Sequence, residues 1–168
     1  MVAIDGRGGA GKSTLAGAIS KQVTGVTVVP IDDFYRPMSE AIEKSLTPQQ
    51  VVEWAFDWQR LREQVLMLVH KGLAARYQRY DWSTRRLGDW RTVDLSAVLI
   101  IEGVYSSRPG LERFYDLKVF VDVPIETSMR RLRDRGARQL IDLWTAADTL
   151  YLETATPLEA ADLTVRGF

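Results

Sequence analysis

Short apolar runs that end at an acidic residue or a glycine recur along the chain and set its framework. Val2-Ala3-Ile4, Val26 to Ile31, Ala97 to Ile101 and Leu117 to Val121 are too short for buried helices and rich in β-branched residues. That fits strands of a sheet covered on both faces. A last run, Ala161 to Val165, follows the punctuation of Pro157. Between these runs the apolar spacing changes to the helical period. Lys12 to about Val23, Ile125 to Arg135 and Leu140 to Leu152 read as helices. Thr47-Pro48 resembles an N-cap with proline at the first helical position, and Val51, Val52, Ala55, Leu61, Val65, Leu68 and Val69 then recur up to Lys71-Gly72. One long, one-sided helix is predicted there. Polar and aromatic or apolar residues alternate over Ala74–Trp82 and Asp89–Val93 around Arg85-Arg86-Leu87-Gly88, which predicts a hairpin or extended excursion on the substrate side at about 72–95.

Five strands separated by helices or long crossovers imply an α/β fold with a doubly wound parallel sheet, filling residues 1–168 as a single domain. Ligands of such sheets gather beyond the carboxyl ends of the strands. Three of those ends carry acids here: Asp5, Asp32-Asp33 and Glu102. The second strand, bearing Asp32 and Asp33, is expected to neighbour the first.

Composition narrows the partners. Twenty-two basic residues balance twenty-two acidic ones in 168, so no global field draws the protein to nucleic acid. The absence of cysteine excludes a disulfide framework, a cysteine zinc site and a thiol nucleophile. The sequence opens on an apolar strand and holds no stretch of transmembrane length, so the expectations are a cytoplasmic location and no membrane partner. A homo-oligomer is compatible with everything above.

The segment Gly6 to Ser13 reads Gly-Arg-Gly-Gly-Ala-Gly-Lys-Ser, with a strand before it and a helix after it. This is the G-x-x-x-x-G-K-[ST] phosphate-binding loop in its required context, and it makes the sheet one of P-loop NTPase type flanked by helices. Gly6, Gly8, Gly9 and Gly11 free the backbone around Ala10 so that successive N–H groups converge on phosphate oxygens. The new helix adds its N-terminal donors. Lys12 is expected on the β and γ phosphates, facing phosphate and solvent; Ser13 is expected on Mg²⁺ and Thr14 as a weaker phosphate contact. ATP and Mg²⁺ are the implied cofactors.

Phosphoryl transfer also needs a carboxylate to take the acceptor's proton, and Asp32 and Asp33 compete for that role against the alternative of capping a turn. Glu102 suits a metal-proximal acid or a plain strand-end ion pair. Arg130, Arg131, Arg133, Arg135 and Arg138 crowd a helix-to-loop segment at about 130–140, where some would close over the triphosphate as a lid and others remain solvated. Arg131 is assigned to the transferring charge and Arg135 to the nucleotide. Tyr77, Tyr80, Trp82 and Trp90 interleave with arginines, a pattern for stacking single-stranded nucleic acid, but the zero net charge favours a pocket for one small substrate. The lone histidine, His70, reads as a helix-end surface residue.

Taken together, Ile4 to Thr14, Asp32-Asp33-Phe34-Tyr35-Arg36, Tyr80-Asp81-Trp82, Ile101-Glu102-Gly103-Val104, Val121-Asp122, the Arg130-Arg131 helix, Pro157 and Ala161-Asp162 resemble the uridine kinase family of P-loop kinases, a group with phosphoribulokinase and pantothenate kinase. The resemblance runs nearly end to end. It implies Asp32 as general base, Asp33 and Tyr35 on the substrate side, Tyr80 and Trp82 lining the acceptor pocket, Glu102 near the metal and the arginines as the lid. Two departures stand out. The family's histidine after the Tyr-Asp-aromatic element is replaced within Ser83-Thr84-Arg85-Arg86, and the Asp-His-Pro ahead of Ala55-Phe56-Asp57 is missing. The implied activity is an ATP- and Mg-dependent phosphotransferase acting on a hydroxyl of a small molecule, a nucleoside first among them, with uridine and cytidine expected to be poor acceptors. The competing reading is an ATP-binding or ATP-hydrolysing switch. A guanine-reading Asn-Lys-x-Asp element is excluded because the chain contains no asparagine.

Overall fold

Strands β1 (Val2–Asp5), β2 (Val26–Pro30), β5 (Val98–Glu102), β6 (Leu117–Asp122) and β7 (Leu163–Arg166) form one parallel sheet in the order β2-β5-β1-β6-β7. They come from a computed structural model that describes residues 1–95, 98–136 and 140–167. The predicted start of β5 at Ala97 lies outside the described residues. The expectation that β2 neighbours β1 is corrected, because β5 sits between them. Burial explains the order. Leu99, Ile100 and Ile101 are fully apolar and need cover on both faces, whereas β2 buries only Val29 and ends at Pro30, which lacks the N–H an inner ladder would use.

Helix α1 (Lys12–Gln22) lays Leu15, Ala16 and Ile19 on one face of the sheet, against Ile4, Ile100 and Val121. The other face is thicker. There Ile31, Phe34, Leu61, Leu66, Ile101 and Tyr105 form the larger core cluster, which Ala147 and Tyr151 of α7 (Ile141–Ala155) also join. Helix α6 (Ile125–Asp134) follows β6. A short helix that the apolar pattern gives no sign of, α2 (Glu40–Ser45), is capped by the Ser39 hydroxyl, which accepts from the Ile42 N–H at 3.3 Å.

The long helix predicted from Thr47 to Lys71 is two rods. The first, α3 (Pro48–Gln50), is capped by Thr47 with a reciprocal Gln50 contact and runs through a widened turn, Val51–Ala55. The second is α4 (Trp58–Leu61), a widened turn Arg62–Leu66 and α5 (Met67–His70). Phe56 breaks the rod because its extended backbone bridges Tyr35, and the Asp57 carboxylate then caps the restart by accepting from the Arg60 N–H at 3.1 Å. Apolar periodicity continues across a break that only a tertiary contact creates. The hairpin is as expected: β3 (Ala75–Asp81) pairs antiparallel with β4 (Arg86–Val93), with a bulge between Gln78 and Tyr80. Arg60 fastens it to the sheet, donating to the Gln78 and Asp33 carbonyls while its guanidinium lies 4.9 Å from the Phe34 ring centre.

Two glycines at strand ends are dictated by close approach. A Cβ on Gly6 (φ 138°) would stand 2.3 Å from the Val121 carbonyl oxygen, and one on Gly103 (φ 145°) 2.6 Å from Ile31 Cβ. At Gly6 the obstacle is backbone of an inner strand, which cannot turn aside. Gly6→Ala is therefore expected to cost about 3 kcal/mol or more, lowering Tm by on the order of 10 °C in a thermal melt. An unchanged Tm would refute the close approach.

Candidate active site

The phosphate loop leaves β1 and enters α1 through Gly11, whose left-handed backbone (φ 103°) begins the helix without a side-chain cap. The first helical bond runs from the Leu15 N–H to the Gly11 carbonyl, so the N–H groups of Lys12, Ser13 and Thr14 have no partner within the helix. They form the donor end of an anion site. Lys12 departs from expectation: it is only 7% exposed and folds back on its own loop, donating to the Gly6 carbonyl at 2.9 Å and the Arg7 carbonyl at 2.7 Å. The loop's own carbonyls satisfy the ammonium. Gly6 and Ala10 serve the loop's path, Ala10 being buried and turned by its N–H bond to the Arg7 carbonyl at 3.1 Å.

Two helices clasp this loop. From α6, Ser128 donates to the Gly8 carbonyl and Arg131 Nη1 to the Gly9 carbonyl at 3.1 Å, so Arg131 here positions the loop's backbone. From α7, Asp148 accepts the Gly8 N–H at 2.8 Å and the Tyr105 hydroxyl at 3.2 Å, and Arg7 reaches Thr149 at 2.9 Å. Arg130 and Arg133 are exposed, Arg135 follows the end of α6, and Arg138 lies outside the described residues.

The rim acids separate by role. Asp5 is structural: buried, it accepts from the backbone N–H groups of Gly6, Tyr105 and Ser107 and from the Ser107 and Tyr151 hydroxyls. Asp32, in the short turn Ile31–Phe34, opens into a cleft of about 320 Å³ beside the loop. Asp32 is itself exposed to that cleft, with the protein packed around its carboxyl on the other sides. That enclosure holds its carboxyl above the usual range, with Lys12 opposing the rise and Asp33 adding to it. Asp33 turns the other way, accepting the Tyr77 hydroxyl at 2.7 Å in a separate groove toward Arg79 and Arg91. Burial also raises the Glu102 carboxyl, Lys12 pulls it down, Asp32 pushes it up and a Ser13 hydrogen bond lowers it.

Of the residues the sequence proposed, the cleft collects Gly8, Gly9, Gly11, Lys12, Ser13, Thr14, Asp32, Trp82, Glu102 and Arg135. It does not collect Tyr35 or Tyr80, expected as pocket walls. Tyr35 is fully buried behind Trp82, its hydroxyl donating to Glu43 at 2.9 Å, and Tyr80 packs edge-on against both rings. The resemblance implies a substrate-side place for both, whereas the packing of Trp82 and the core over them leaves Tyr35 0% and Tyr80 2% exposed. Cleft residues that the sequence did not propose for the site include Phe56, Tyr105, Leu132, Trp144 and Asp148. An acid at 148 on the buried face that carries Ala147 and Tyr151 was the available signal.

Ser13 and Glu102 suit a hard cation. Among the described residues no three acidic or histidine side chains group for a metal.

Asp148 is 4% exposed, and desolvation pushes its carboxyl from 3.8 to about 6, opposed by the Gly8 N–H, Lys12, the Tyr105 hydroxyl and Arg7. A raised folded-state value means that the native protein binds a proton the unfolded chain has released. Stability from this group is full below pH 3.8 and lost as pH rises through about 6. Asp148→Asn keeps an acceptor for Gly8 and should flatten that fall, which urea titrations at pH 4, 5, 6 and 7 would measure. Parallel curves for the variant and the parent would refute the shift.

The chain matches the family described as Phosphoribulokinase / Uridine kinase over residues 1–139. It is 26% identical over 162 residues to the uridine kinase of Alkaliphilus metalliredigens (strain QYMF), covering 94% of this chain and 77% of that protein. Among solved structures it is similar to a candidate uridine kinase from Bacillus stearothermophilus, with TM-score 0.77 and 25% identity over 97% of this chain and 86% of that one. A candidate fructose transport system kinase from Silicibacter sp. TM1040 gives TM-score 0.65 and 28% identity, over 98% and 88%.

Proposed function

Because this chain belongs to the phosphoribulokinase/uridine kinase family, we propose that it transfers the γ-phosphoryl group of ATP, with Mg²⁺, to a hydroxyl of a small molecule in the cleft beside Asp32. Membership of the family makes it a kinase. Donor, metal and acceptor are the steps proposed beyond that. The observation that carries the reading is that one cleft joins the phosphate loop's donor end, Lys12 and Glu102 to the Asp32 carboxylate.

The chemistry follows from that placement. The acceptor oxygen attacks the γ phosphorus as its proton passes to the Asp32 carboxylate, and the bond to the β–γ bridging oxygen breaks to release ADP. Released from the Gly6 and Arg7 carbonyls, Lys12 stabilises charge on the phosphate oxygens, while Arg131 holds the loop and Arg135 approaches from the α6 end. Ser13 and Glu102 would hold Mg²⁺, which would supply neutralising charge to the phosphate oxygens. Uridine kinase relatives make a nucleoside the first acceptor to try. No helix among the described residues is long and apolar enough to cross a membrane.

A screen of ATP consumption against nucleosides, sugars and pantothenate-like alcohols tests this directly. Acceptor-dependent ADP release is the expected result. ATP hydrolysis indifferent to every acceptor would instead indicate a switch.

A further inference from the structure

A second groove, of about 400 Å³, shares no lining residue with the cleft. It runs between the start of the second rod, which supplies Trp58, Gln59 and Arg62, and the turn after β5, which supplies the segment from Arg108 to Leu111. Among the described residues that line it, two are arginines and none is acidic.

Arg108 donates from Nη1 to the Val52 carbonyl at 3.1 Å and lies over the Trp58 ring, 4.3 Å from its centre. Burial pulls its pKa below the ordinary guanidinium value. Of the groups that oppose this, Tyr151, Tyr105 and Glu53, the one carboxylate already accepts from Gln49. A guanidinium withdrawn from water without a paired carboxylate is costly unless another anion compensates it.

Arg62 is little better served. Its Nη2 stands 3.5 Å from Glu63, an exposed carboxylate that also accepts from the Gln59 amide at 3.1 Å. Such an exposed pair contributes little. The Arg62 Nε–H is buried without a hydrogen-bond partner among the described residues, and so is the Trp58 indole N–H on the same rod. Buried donors without acceptors are rare in folded proteins. The side chains short of partners here are thus all donors, and two of them are cations.

We propose that this groove is a second anion site, which takes the phosphate group of a small metabolite between Arg62 and Arg108. A nearly dianionic phosphate matches two guanidiniums in charge and offers three terminal oxygens to their forks, where a carboxylate brings one charge and two oxygens. The groove's volume leaves room for an organic body beside the phosphate, along Pro109 and Leu111. An occupant would also bear on the cleft. Trp58 stacks on Phe56 with ring centres 5.2 Å apart and meets Tyr105 edge-on at 5.9 Å, and both of those rings line the cleft. Tyr105 in turn bonds Asp148, the acceptor of the Gly8 N–H. The site is therefore assigned to an effector.

The test follows the five indole N–H resonances of the isotope-labelled protein by NMR, the Trp58 signal being the one lost in Trp58→Phe. Glycerol 3-phosphate, inorganic phosphate and acetate are titrated at constant ionic strength. The Trp58 signal should shift saturably, with Kd of about 1 mM or below for both phosphates and binding about fivefold weaker or worse for acetate. Arg62→Gln and Arg108→Lys should each weaken glycerol 3-phosphate by about tenfold, while Lys12→Ala changes it less than about twofold. Arg62→Gln alters a half-exposed side chain and decides the matter if a thermal melt shows Arg108→Lys to be unfolded. No saturable shift, acetate binding as tightly as phosphate, or a shift that survives Arg62→Gln or vanishes in Lys12→Ala overturns the site. The effector role rests on the kinase reading above and is read separately. Glycerol 3-phosphate should change the KM for ATP by about twofold or more in the parent and not in Arg62→Gln. An unchanged KM in the parent overturns that role, whereas absence of acceptor-dependent turnover overturns the kinase reading and leaves the NMR result standing.

Discussion

Lys12→Ala is expected to lower acceptor phosphorylation by ~10³-fold or more, because the ammonium is the loop's mobile charge for the phosphate oxygens in a site shielded from bulk water. Its resting position refines the expectation for stability. The ammonium bonds two carbonyls of its own loop, at 2.9 and 2.7 Å, and these would turn to water in the cleft once the side chain is gone. A cost of about 1–2 kcal/mol is expected, small enough for a cooperative melt to survive. Lys12→Met keeps the aliphatic stem and should melt closer to the parent while remaining as inactive. Turnover near the parental value in either variant would remove the loop from the chemistry, and loss of the melting transition in both would make Lys12 a structural residue.

Asp32→Asn should lower kcat by ~10² or more with little change in KM for ATP, since an amide accepts no proton from the acceptor hydroxyl but leaves the loop intact. The adjacent Asp33→Asn is the internal control: its carboxylate is engaged by Tyr77 and lies outside the cleft, so its effect on kcat should be slight. The pH profile adds a second readout. Enclosure raises the Asp32 carboxyl, so activity should fall on the acid side at a pH above that of an ordinary aspartate. Should Asp33→Asn prove the more damaging, the base has been misassigned.

That Lys12 and Asp32 line one cleft was legible in the sequence because their signals are local. A phosphate loop needs glycines, a lysine and a hydroxyl in fixed order, and Asp32 follows a strand by one short step. The strands were legible for the same reason, their apolar runs having length and β-branching that no helix needs. What stayed hidden depends on contacts between distant segments. The order in which strands lie depends on which one most needs burial, and on that ground β5 takes the place beside β1 and leaves β2 at the edge. The split at Phe56 is made by a bridge to Tyr35, which apolar periodicity does not register. Tyr35 and Tyr80 look like pocket aromatics until the rings they pack against are known, and Trp144 looks like core until the cleft is seen to pass it.

Trp144, Asp148 and Tyr151 lie four and three positions apart on α7, on one helical face. The first lines the cleft at the end proposed here for the acceptor, the second holds the phosphate loop, and the third the buried Asp5. With a rise of about 1.5 Å per residue, the acceptor wall stands roughly 6 Å along the axis from the fastening that fixes the donor. Such a layout is modular. A lineage, or a protein engineer, can exchange the side chain at 144 and recruit a different alcohol while the two residues further along keep the phosphate machinery in register. An insertion or deletion of one residue between 144 and 148 would rotate the two ends by about 100° relative to each other and disable both at once. Acceptor choice in this scaffold is therefore expected to diversify by point substitution at the start of α7, and length changes inside that helix to be selected against.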